Sequence, residues 1–464
     1  MAKNDKKWGE SMETSKYVDE LIKTTQELIR IPSVKAPPAG EGKPFGAPIA
    51  QALDYTLAKG RELGFKTENF SGYAGHIEYG QGPETLGVLC HLDVVPAGEG
   101  WSVDPYAGDI VDGKIYGRGA IDNKGPAVAA LYALAALKDS GWQPERRVRI
   151  ILGTDEESGW GCMEHYMKVA DKPELGFAPD AEFPVINSEK GILMVELSGK
   201  LQSPQGITLR EIRGGNRPNM VPDRCHVRLQ GVQEGQISSL AAKVGAHLDV
   251  RKEEDGISLI FKGVSAHGSM PETGVNAVSY ALALLHQLGF EDGIIGFLND
   301  HIGFSNDGRG LNIEVRDTIS GPLTANMGVI DMEGDIVKVM LDIRYPVTYH
   351  EEQILAGVSD TLPDHVTMVS RSGKAPLHVD AGSELIKILQ WVYEKHTGED
   401  AKLISIGGGT YARALDNAVA FGPVFPGQPE LAHQQDEYIS TAHLQKLMEI
   451  YADAIHLLAD KGGE

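Results

Sequence analysis

A histidine and an aspartate stand two residues apart at the end of an apolar run, as His91 and Asp93. The run before them, residues 86–90, has the length and composition of a buried strand. A histidine in that position places a nitrogen ligand at the edge of a sheet. Asp93 could accept the second N–H of that imidazole and fix its tautomer, as metal-binding histidines usually require. The pair is therefore a candidate metal-binding position, although this spacing alone is a weak signal.

Two acidic segments with similar surroundings follow. Asp122 lies between a glycine-dense stretch and an Ala/Leu-rich helix predicted over residues 127–137. A helix N-cap would explain Asp122 but not the glycines before it, which indicate a tightly constrained backbone. Glu156 and Glu157 stand in a run of three acids between an apolar strand and a predicted helix. Although such a turn can simply be a solvated surface, this is the usual place for a site in an open α/β sheet.

Asp180, before a short strand, and His433, before the final helix, complete the set of candidate ligands. Each of these residues alone is more often structural than metal-binding. Together, two histidines and three carboxylates are the ligand set of a paired divalent site, in which one carboxylate bridges two ions ~3.5–4 Å apart. Nitrogen and oxygen ligands without thiolate favour zinc, with manganese and cobalt as alternatives.

The five segments resemble those of a known enzyme family, the co-catalytic zinc aminoacylase/glutamate-carboxypeptidase-type metallopeptidases. Within that family they are most similar to the dipeptidase V group, the bacterial Xaa-His or β-Ala-His dipeptidases. The resemblance extends from about residue 17 to the C-terminal helix. It rests on the segments GVLCHLDVVPAGEGW, GRGAIDNKGP, TDEESG, FAPDAEFPV and AHQQDE.

This resemblance implies a role for each candidate ligand. His91 and Asp180 would hold one metal, and Glu157 and His433 would hold the other. Asp122 would bridge the two ions. A pair of ions held in this way lowers the pKa of a shared water enough to supply hydroxide near neutral pH.

The resemblance also implies two roles that are not those of ligands. Asp93 would orient His91, and Glu156 would be the general base that takes a proton from the water and delivers it to the leaving amine. It further implies that the peptide bond between Asp122 and Asn123 is cis, an uncommon state for a bond that does not precede proline.

A further histidine, His267, stands in the glycine- and serine-rich stretch Gly263-Val264-Ser265-Ala266-His267-Gly268. A histidine in such a loop is usually just solvated. The resemblance instead implies a lid histidine that polarises the scissile carbonyl, and a donor aimed at a developing oxyanion contributes about 3–4 kcal/mol.

Several residues are candidates for binding the substrate. Asn219 and Arg344 match lid positions of the family, and Arg344, at the end of a predicted strand, could bind a carboxylate through two hydrogen bonds. The alternative for Arg344 is an ordinary surface arginine. The backbone N–H groups of Gly408, Gly409 and Thr410 would face the terminal carboxylate of the substrate, although this glycine run could also be only a tight turn.

The order of predicted elements indicates an α/β protein with a discontinuous catalytic domain. Residues 1–186 and 383–464 would form that domain, with a mixed central sheet flanked by helices. Residues 187–382, richer in amphipathic strands, would form an inserted α+β lid domain with two sub-halves. Apolar spacing predicts helices in this insertion over residues 237–248 and 275–288.

The composition of the chain bears on its binding partners and its cellular compartment. A formal charge of −22 argues against nucleic acid and anionic membrane surfaces. The three cysteines, Cys90, Cys162 and Cys225, are widely spaced and odd in number, which favours a reducing compartment. The first sixteen residues lack an apolar signal segment, so we expect a cytoplasmic protein.

These observations predict a metal-dependent dipeptidase that hydrolyses unblocked dipeptides, of the Xaa-His or β-Ala-His type or broader. The alternatives within the family are an N-acyl-amino-acid deacylase or desuccinylase and a carboxypeptidase. The large insertion favours dipeptides and a monomer, because it resembles the enlarged lid of dipeptidase V. A catalytically silent, metal-stabilised binding module is disfavoured, since a structural site needs neither Glu156 nor His267.

Overall fold

The structure, a computed structural model, describes residues 14–460 as alternating helices and strands. The α-helices are α1 (Val18–Ile29), α2 (Ala47–Glu62), α3 (Lys124–Asp139), α4 (Gly161–Val169), α5 (Glu234–Val244), α6 (Ala277–Gln287), α7 (Gly293–His301), α8 (Glu351–Thr361), α9 (Glu384–Thr397) and α10 (Thr441–Ala459). Short 3-10 helices are Ser15–Tyr17, Pro271–Thr273, Arg309–Leu311 and Tyr411–Ala414.

The strands of the amino-terminal part are β1 (Lys66–Phe70), β2 (Ala74–Tyr79), β3 (Thr85–His91), β4 (Ile110–Val111), β5 (Lys114–Tyr116), β6 (Arg147–Gly153), β7 (Leu175–Ala178), β8 (Ala181–Glu182) and β9 (Val185–Glu189). The strands of the middle part are β10 (Gly191–Lys200), β11 (Thr208–Gly214), β12 (Arg224–Gln230), β13 (His247–Glu253), β14 (Gly256–Lys262), β15 (Arg316–Asp317), β16 (Gly321–Pro322), β17 (Thr324–Glu333), β18 (Ile336–Tyr345), β19 (Val366–Lys374) and β20 (Leu377–His378). The last strands are β21 (Leu403–Ile406), β22 (Ala418–Ala420), β23 (Pro423–Val424) and β24 (Tyr438–Ser440).

The described residues form two compact units, and the second is inserted in the first. The chain leaves the first unit after Asn187 and returns to it at Val379. The short segment Ser405–Gly408 belongs to the second unit, and the residues from Gly409 on belong again to the first.

The first unit is built on a mixed sheet in the order β1-β2-β6-β3-β7-β22-β9. Its centre is parallel, since β3 pairs in parallel with β6 and β7, and β7 with β22. The other neighbours pair antiparallel. Helices α3 and α10 pack against β3 and β6, while α2 and α4 pack against β2. The predicted α/β class, with a mixed central sheet flanked by helices, is confirmed.

The parallel centre explains why the sequence of this part is so apolar. Every residue of β3 is buried, because a parallel strand between helical layers has no solvent-facing side. Residues 124–137 of α3 are buried as well, and a helix that is apolar on all sides is a core helix. Since β3, β6 and β7 run in the same direction, the residues after His91, Gly153 and Ala178 lie at one edge of the sheet.

The second unit is built on an antiparallel sheet in the order β13-β14-β12-β11-β17-β18-β10-β19. Two groups of four strands meet between β11 and β17, where the ladder comprises only Arg213↔Asp331 and Gly214↔Ile330. Helix α6 packs against β12 and β14, and α7 packs against β10. The apolar residues of these elements form one continuous hydrophobic core within the unit.

The prediction of a helix over residues 237–248 is wrong at its carboxyl end. Helix α5 stops at Val244 because Gly245 takes a left-handed conformation, with a φ of 71°, and ends the helix. The residues that follow form β13 and pair with β14. The predicted helix over residues 275–288 is observed as α6.

The three cysteines are buried and none forms a disulfide. Among residues 14–460, no helix combines the length and the apolar composition that crossing a membrane requires. Most of the segment that argued against a targeting signal, residues 1–13, lies outside the described residues.

Candidate active site

The imidazole of His91, fully buried at the end of β3, is held by the chain that follows it. Its Nδ1 donates to the backbone carbonyl of Asp93 at 2.9 Å. Because a carbonyl can only accept, this bond leaves Nε2 of a neutral ring as the lone-pair nitrogen. The Asp93 carboxylate lies 3.6 Å from Nδ1. The Asp93 carbonyl makes the shorter of the two contacts, and the expectation that Asp93 orients this ring stays a prediction.

The Asp93 carboxylate, 1% exposed, holds two other candidate residues instead. One oxygen accepts the backbone N–H of Glu156 at 3.1 Å, and the other accepts that of Glu157 at 3.1 Å. These bonds fix the turn after β6 against the loop after β3. The two glutamate side chains therefore start from a rigid backbone.

Asp122 lies between the two candidate histidines. Its Oδ1 is 2.9 Å from Nε2 of His91, and its Oδ2 is 3.1 Å from Nε2 of His433. Each oxygen of one carboxylate thus faces a different histidine. The peptide bond between Asp122 and Asn123 is cis, as the resemblance implied.

His433 and Glu157 form the second part of the cluster. Nε2 of His433 lies 2.9 Å from Oε2 of Glu157. The His433 side chain is 49% exposed, whereas that of Glu157 is 9% exposed. His433 has a φ of 64°, a left-handed conformation that is uncommon for a residue with a Cβ and is concentrated at functional sites.

Asp180 completes the first part of the cluster, with its Oδ1 3.3 Å from Nε2 of His91. Asn123 connects the two residues. Its Nδ2 donates to Oδ1 of Asp180 at 3.1 Å and also to the carbonyl of Pro179, and its Oδ1 accepts the backbone N–H of His91 at 3.3 Å. Sequence reasoning missed Asn123, although its place beside Asp122 in the glycine-dense segment was a signal.

Two overlapping groups in this cluster have donor atoms within 4.8 Å of one another, a spacing at which they could hold a metal ion. One group is His91, Asp122 and Glu157, and the other is His91, Glu156 and Asp180. Glu156 therefore lies close enough to bind a metal itself or to take a proton from a molecule beside it.

The electrostatics of the cluster fit a divalent cation. Burial, followed by the charge of Asp180, raises the pKa of Glu156 well above its ordinary value. Burial also raises the pKa of Asp180 to about 6. For His433, burial opposes the charged form, but hydrogen bonds with Asp122 and Glu157 outweigh it and raise the pKa to about 11. A bound dication would favour ionised carboxylates and neutral imidazoles instead, which is the state in which they act as ligands.

The second unit contains the candidates His267, Asn219 and Arg344. The backbone N–H of Gly268 donates to the carbonyl of Asn219 at 2.7 Å, so His267 lies beside Asn219. Nδ1 of His267 accepts the backbone N–H of Ser269 at 3.3 Å and lies 2.7 Å from the Ser269 hydroxyl. Because a backbone N–H can only donate, the proton of a neutral His267 ring is on Nε2.

Arg344 is 3% exposed, which excludes the interpretation as a surface arginine. Its Nε and Nη2 donate to the two oxygens of Asp342 at 2.6 and 2.8 Å, and its Nη1 donates to the carbonyl of Gly407 at 2.6 Å. The Asp342 carboxylate also lies against Gly268, where an added Cβ would be 2.5 Å from Oδ2. Sequence reasoning missed Asp342, although a position two residues away on the same strand faces the same side.

The candidate loop at residues 408–410 is divided between the units. Gly408 belongs to the second unit, whereas Gly409 and Thr410 belong to the first. The Thr410 hydroxyl accepts the backbone N–H of Ala412 at 3.2 Å and caps the 3-10 helix Tyr411–Ala414.

Comparison with known proteins identifies the family of this chain. The Bacillus subtilis (strain 168) protein named "Putative dipeptidase YtjP" is 42% identical over 461 residues, which cover 97% of this chain and 99% of that protein. The structure of human carnosine dipeptidase 1 has a TM-score of 0.57 at 18% identity and covers 96% of this chain and 98% of its own. An M20 family metallo-carboxypeptidase from Sulfolobus solfataricus has a TM-score of 0.58 at 16% identity and covers 95% and 99%. These two structures show a shared fold. The sequence model of Peptidase family M20/M25/M40 matches residues 87–457, and the chain belongs to that family.

Proposed function

We propose that this protein is a metal-dependent dipeptidase with a two-ion centre. The observation that carries the proposal is the position of Asp122, whose two oxygens face His91 and His433 separately. A carboxylate between two such groups is what a pair of divalent ions requires. His91 and Asp180 would hold one ion, Glu157 and His433 the other, and Asp122 both. Zinc suits this nitrogen and oxygen donor set, with manganese or cobalt as alternatives.

When bound, the ions supply a nucleophilic hydroxide near neutral pH. The Glu156 carboxylate then acts as the general base, taking a proton from the water and passing it to the leaving amine. Burial raises the pKa of Glu156, which makes its carboxylate a stronger proton acceptor than an exposed glutamate. The hydrogen bonds from the Glu156 and Glu157 backbones to Asp93 fix the backbone from which the proposed base and the proposed ligand extend.

His267 would stabilise the oxyanion that develops on the scissile carbonyl. The contacts of its Nδ1 with Ser269 place the ring proton on Nε2, which can donate to that oxygen. Asn219, whose carbonyl binds Gly268, lies next to it and would contact the substrate.

Arg344 would bind the carboxylate at the carboxyl end of the substrate. A guanidinium has five N–H donors, and the bonds to Asp342 and Gly407 use three of them. One N–H on each of Nη1 and Nη2 is left, enough to bind a carboxylate. The rigid attachment to Asp342 would lower the entropy lost on binding. The backbone N–H groups of Gly408, Gly409 and Thr410 would add to this carboxylate site.

The dipeptide preference rests on the names of the sequence relatives and on the size of the inserted unit, which runs from Ser188 to His378. A deacylase, desuccinylase or carboxypeptidase of the same family is the alternative.

We further propose a cytoplasmic monomer whose partner is a small peptide. A panel of unblocked dipeptides, tripeptides and N-acyl amino acids, assayed with zinc, manganese and cobalt, tests the proposal. We expect rapid hydrolysis of dipeptides alone. Faster cleavage of N-acetyl or N-succinyl amino acids would show instead that the protein is a deacylase.

A further inference from the structure

Glu437 is a fully buried carboxylate that contacts the loop bearing Asp122 at several points. We propose that Glu437 is a positioning residue that fixes the Asp122 backbone relative to His433 and thereby determines how tightly the centre binds metal. This inference rests on the metal centre proposed above and adds a residue that binds neither metal nor substrate.

Both oxygens of Glu437 accept hydrogen bonds from consecutive parts of this loop. Oε1 accepts the backbone N–H of Ile121 at 2.9 Å and that of Asp122 at 3.2 Å. Oε2 accepts the backbone N–H of Gly119 at 3.1 Å and lies 2.7 Å from Nη1 of Arg118. Three backbone donors and a guanidinium therefore converge on one side chain, and one of the donors is the N–H of the proposed bridging residue.

The backbone of Glu437 is fixed from the same side. Its carbonyl accepts the N–H of Gly117 at 2.9 Å, and β24, directly after it, pairs with β5, directly before Gly117. Glu437 follows His433 by four residues, directly after the turn at residues 432–436. Glu437 thus ties the backbone of Asp122 to the segment that bears His433, in addition to the direct contact between the Asp122 and His433 side chains.

Arg118 and Asp436 extend this connection to a third segment. Nη2 of Arg118 donates to the carbonyl of Ala97 at 3.2 Å, and its guanidinium lies 5.2 Å from the ring centre of Trp101. The Asp436 carboxylate accepts the backbone N–H of Ser102 at 2.7 Å. The turn after His433 is therefore anchored at both of its acidic residues.

Groups that orient metal ligands typically change metal affinity by 10- to 100-fold when they are replaced. Glu437→Gln keeps the size of the side chain but replaces one carboxylate oxygen, an acceptor, with an amide NH₂, a donor. That NH₂ would face the N–H groups that now donate to the oxygen. The loop should shift and Asp122 should lose its place between the histidines. We expect zinc affinity to fall ~10- to 100-fold, measured on the full-length protein by competition with a chromogenic zinc chelator.

Asp453 provides the matched control. It is a buried carboxylate, 8% exposed, that binds Lys395 and His396 at 2.7 Å each, and neither partner is a candidate ligand. Asp453→Asn should lower the melting temperature of the zinc-free protein and leave zinc affinity within about twofold of wild type. If Glu437 had a purely structural role, Glu437→Gln would behave like Asp453→Asn, with a lower melting temperature and an unchanged zinc affinity.

Zinc affinity of Glu437→Gln within about twofold of wild type would overturn the proposal, as would an equal loss of affinity in Asp453→Asn. If Glu437→Gln does not fold, Glu437→Asp is measured by the same criterion, because it keeps the charge but shortens the reach. Failure of Glu437→Asp to fold would also overturn the proposal, since the residue would then be needed for folding itself. A wild-type protein that binds no zinc, manganese or cobalt would refute the metal centre, a result distinct from any of these.

Discussion

His76 in β2 gives a prediction whose size can be worked from the structure. The imidazole is buried, with 7% of the side chain exposed, and its Nδ1 lies 2.9 Å from the hydroxyl of Tyr166. Burial, followed by the positive charge of Arg149, lowers the pKa of His76 from 6.5 to about 4, against the opposing charge of Glu78. A further carboxylate, Glu68, lies 3.8 Å from Nε2.

A lowered histidine pKa means that the unfolded chain binds the proton first as the pH falls. Above pH 6.5 His76 is neutral in the folded protein and in the unfolded chain, so it contributes nothing to the pH dependence of stability. Between pH 6.5 and 4 the folded state loses stability, and the loss is complete below the folded pKa. The difference between a pKa of 6.5 in the unfolded chain and about 4 in the folded protein corresponds to about 3 kcal/mol, of which about 2 kcal/mol is lost by pH 5.

His76→Phe keeps a ring in place and removes this titration. The quantity to compare is the difference in free energy of unfolding between wild type and variant. We expect this difference to change by about 2 kcal/mol, to the disadvantage of wild type, when the pH falls from 7.5 to 5. Denaturant unfolding in the presence of a chelator measures it, because both proteins are then free of metal at both pH values. A difference that stays constant within about 0.5 kcal/mol would refute the reasoning, as would a native-state pKa near 6.5 for His76 by NMR.

Two further predictions concern the proposed reaction. Glu156→Gln should lower kcat by ~10²–10⁴ and leave both metals bound, measured by steady-state kinetics and metal analysis. Loss of metal together with unchanged activity per bound metal would show that Glu156 is a ligand and Glu157 the base. A mixture of Glu156→Gln and His267→Ala proteins should show no more activity than the two alone, because a monomer completes each site from its own chain. Recovery of activity in the mixture would show that His267 acts in the site of another subunit.

The candidate ligands could be found from the sequence because each follows a local signal. His91 is the last residue of β3, and Glu157 and Asp180 follow within four residues of the ends of β6 and β7. The apolar residues of these strands make them recognisable, and parallel pairing brings their ends to one edge. The elements were also predictable where apolar spacing was unbroken, as in α10. The prediction failed at residues 245–248, where the apolar spacing of α5 continues past Gly245 but the glycine conformation ends the helix.

The residues that hold the site had no such signal. Glu437 and Arg118 are separated by 319 positions, and Asn123 and Asp180 by 57. No local pattern records a contact made only when distant segments meet. Asp93 shows a different limit, since the sequence suggested a contact of its carboxylate with His91, whereas the 2.9 Å hydrogen bond is made by its carbonyl and the carboxylate lies 3.6 Å away. A backbone acceptor is present at every position, so residue type alone cannot reveal it.

The hydrogen bonds separate the acidic residues of the chain into two kinds. Asp93 and Asp342 use both oxygens for donors of the protein, the first for the backbone of Glu156 and Glu157 and the second for Arg344. Glu437 does the same for the Asp122 loop. The four hydrogen bonds of Glu437 occupy the roughly four acceptor sites of a carboxylate, which leaves it little capacity for a metal or a substrate. The acids that hold the candidate groups are therefore distinguished from those that could react by where their oxygens point, a property that the sequence does not contain.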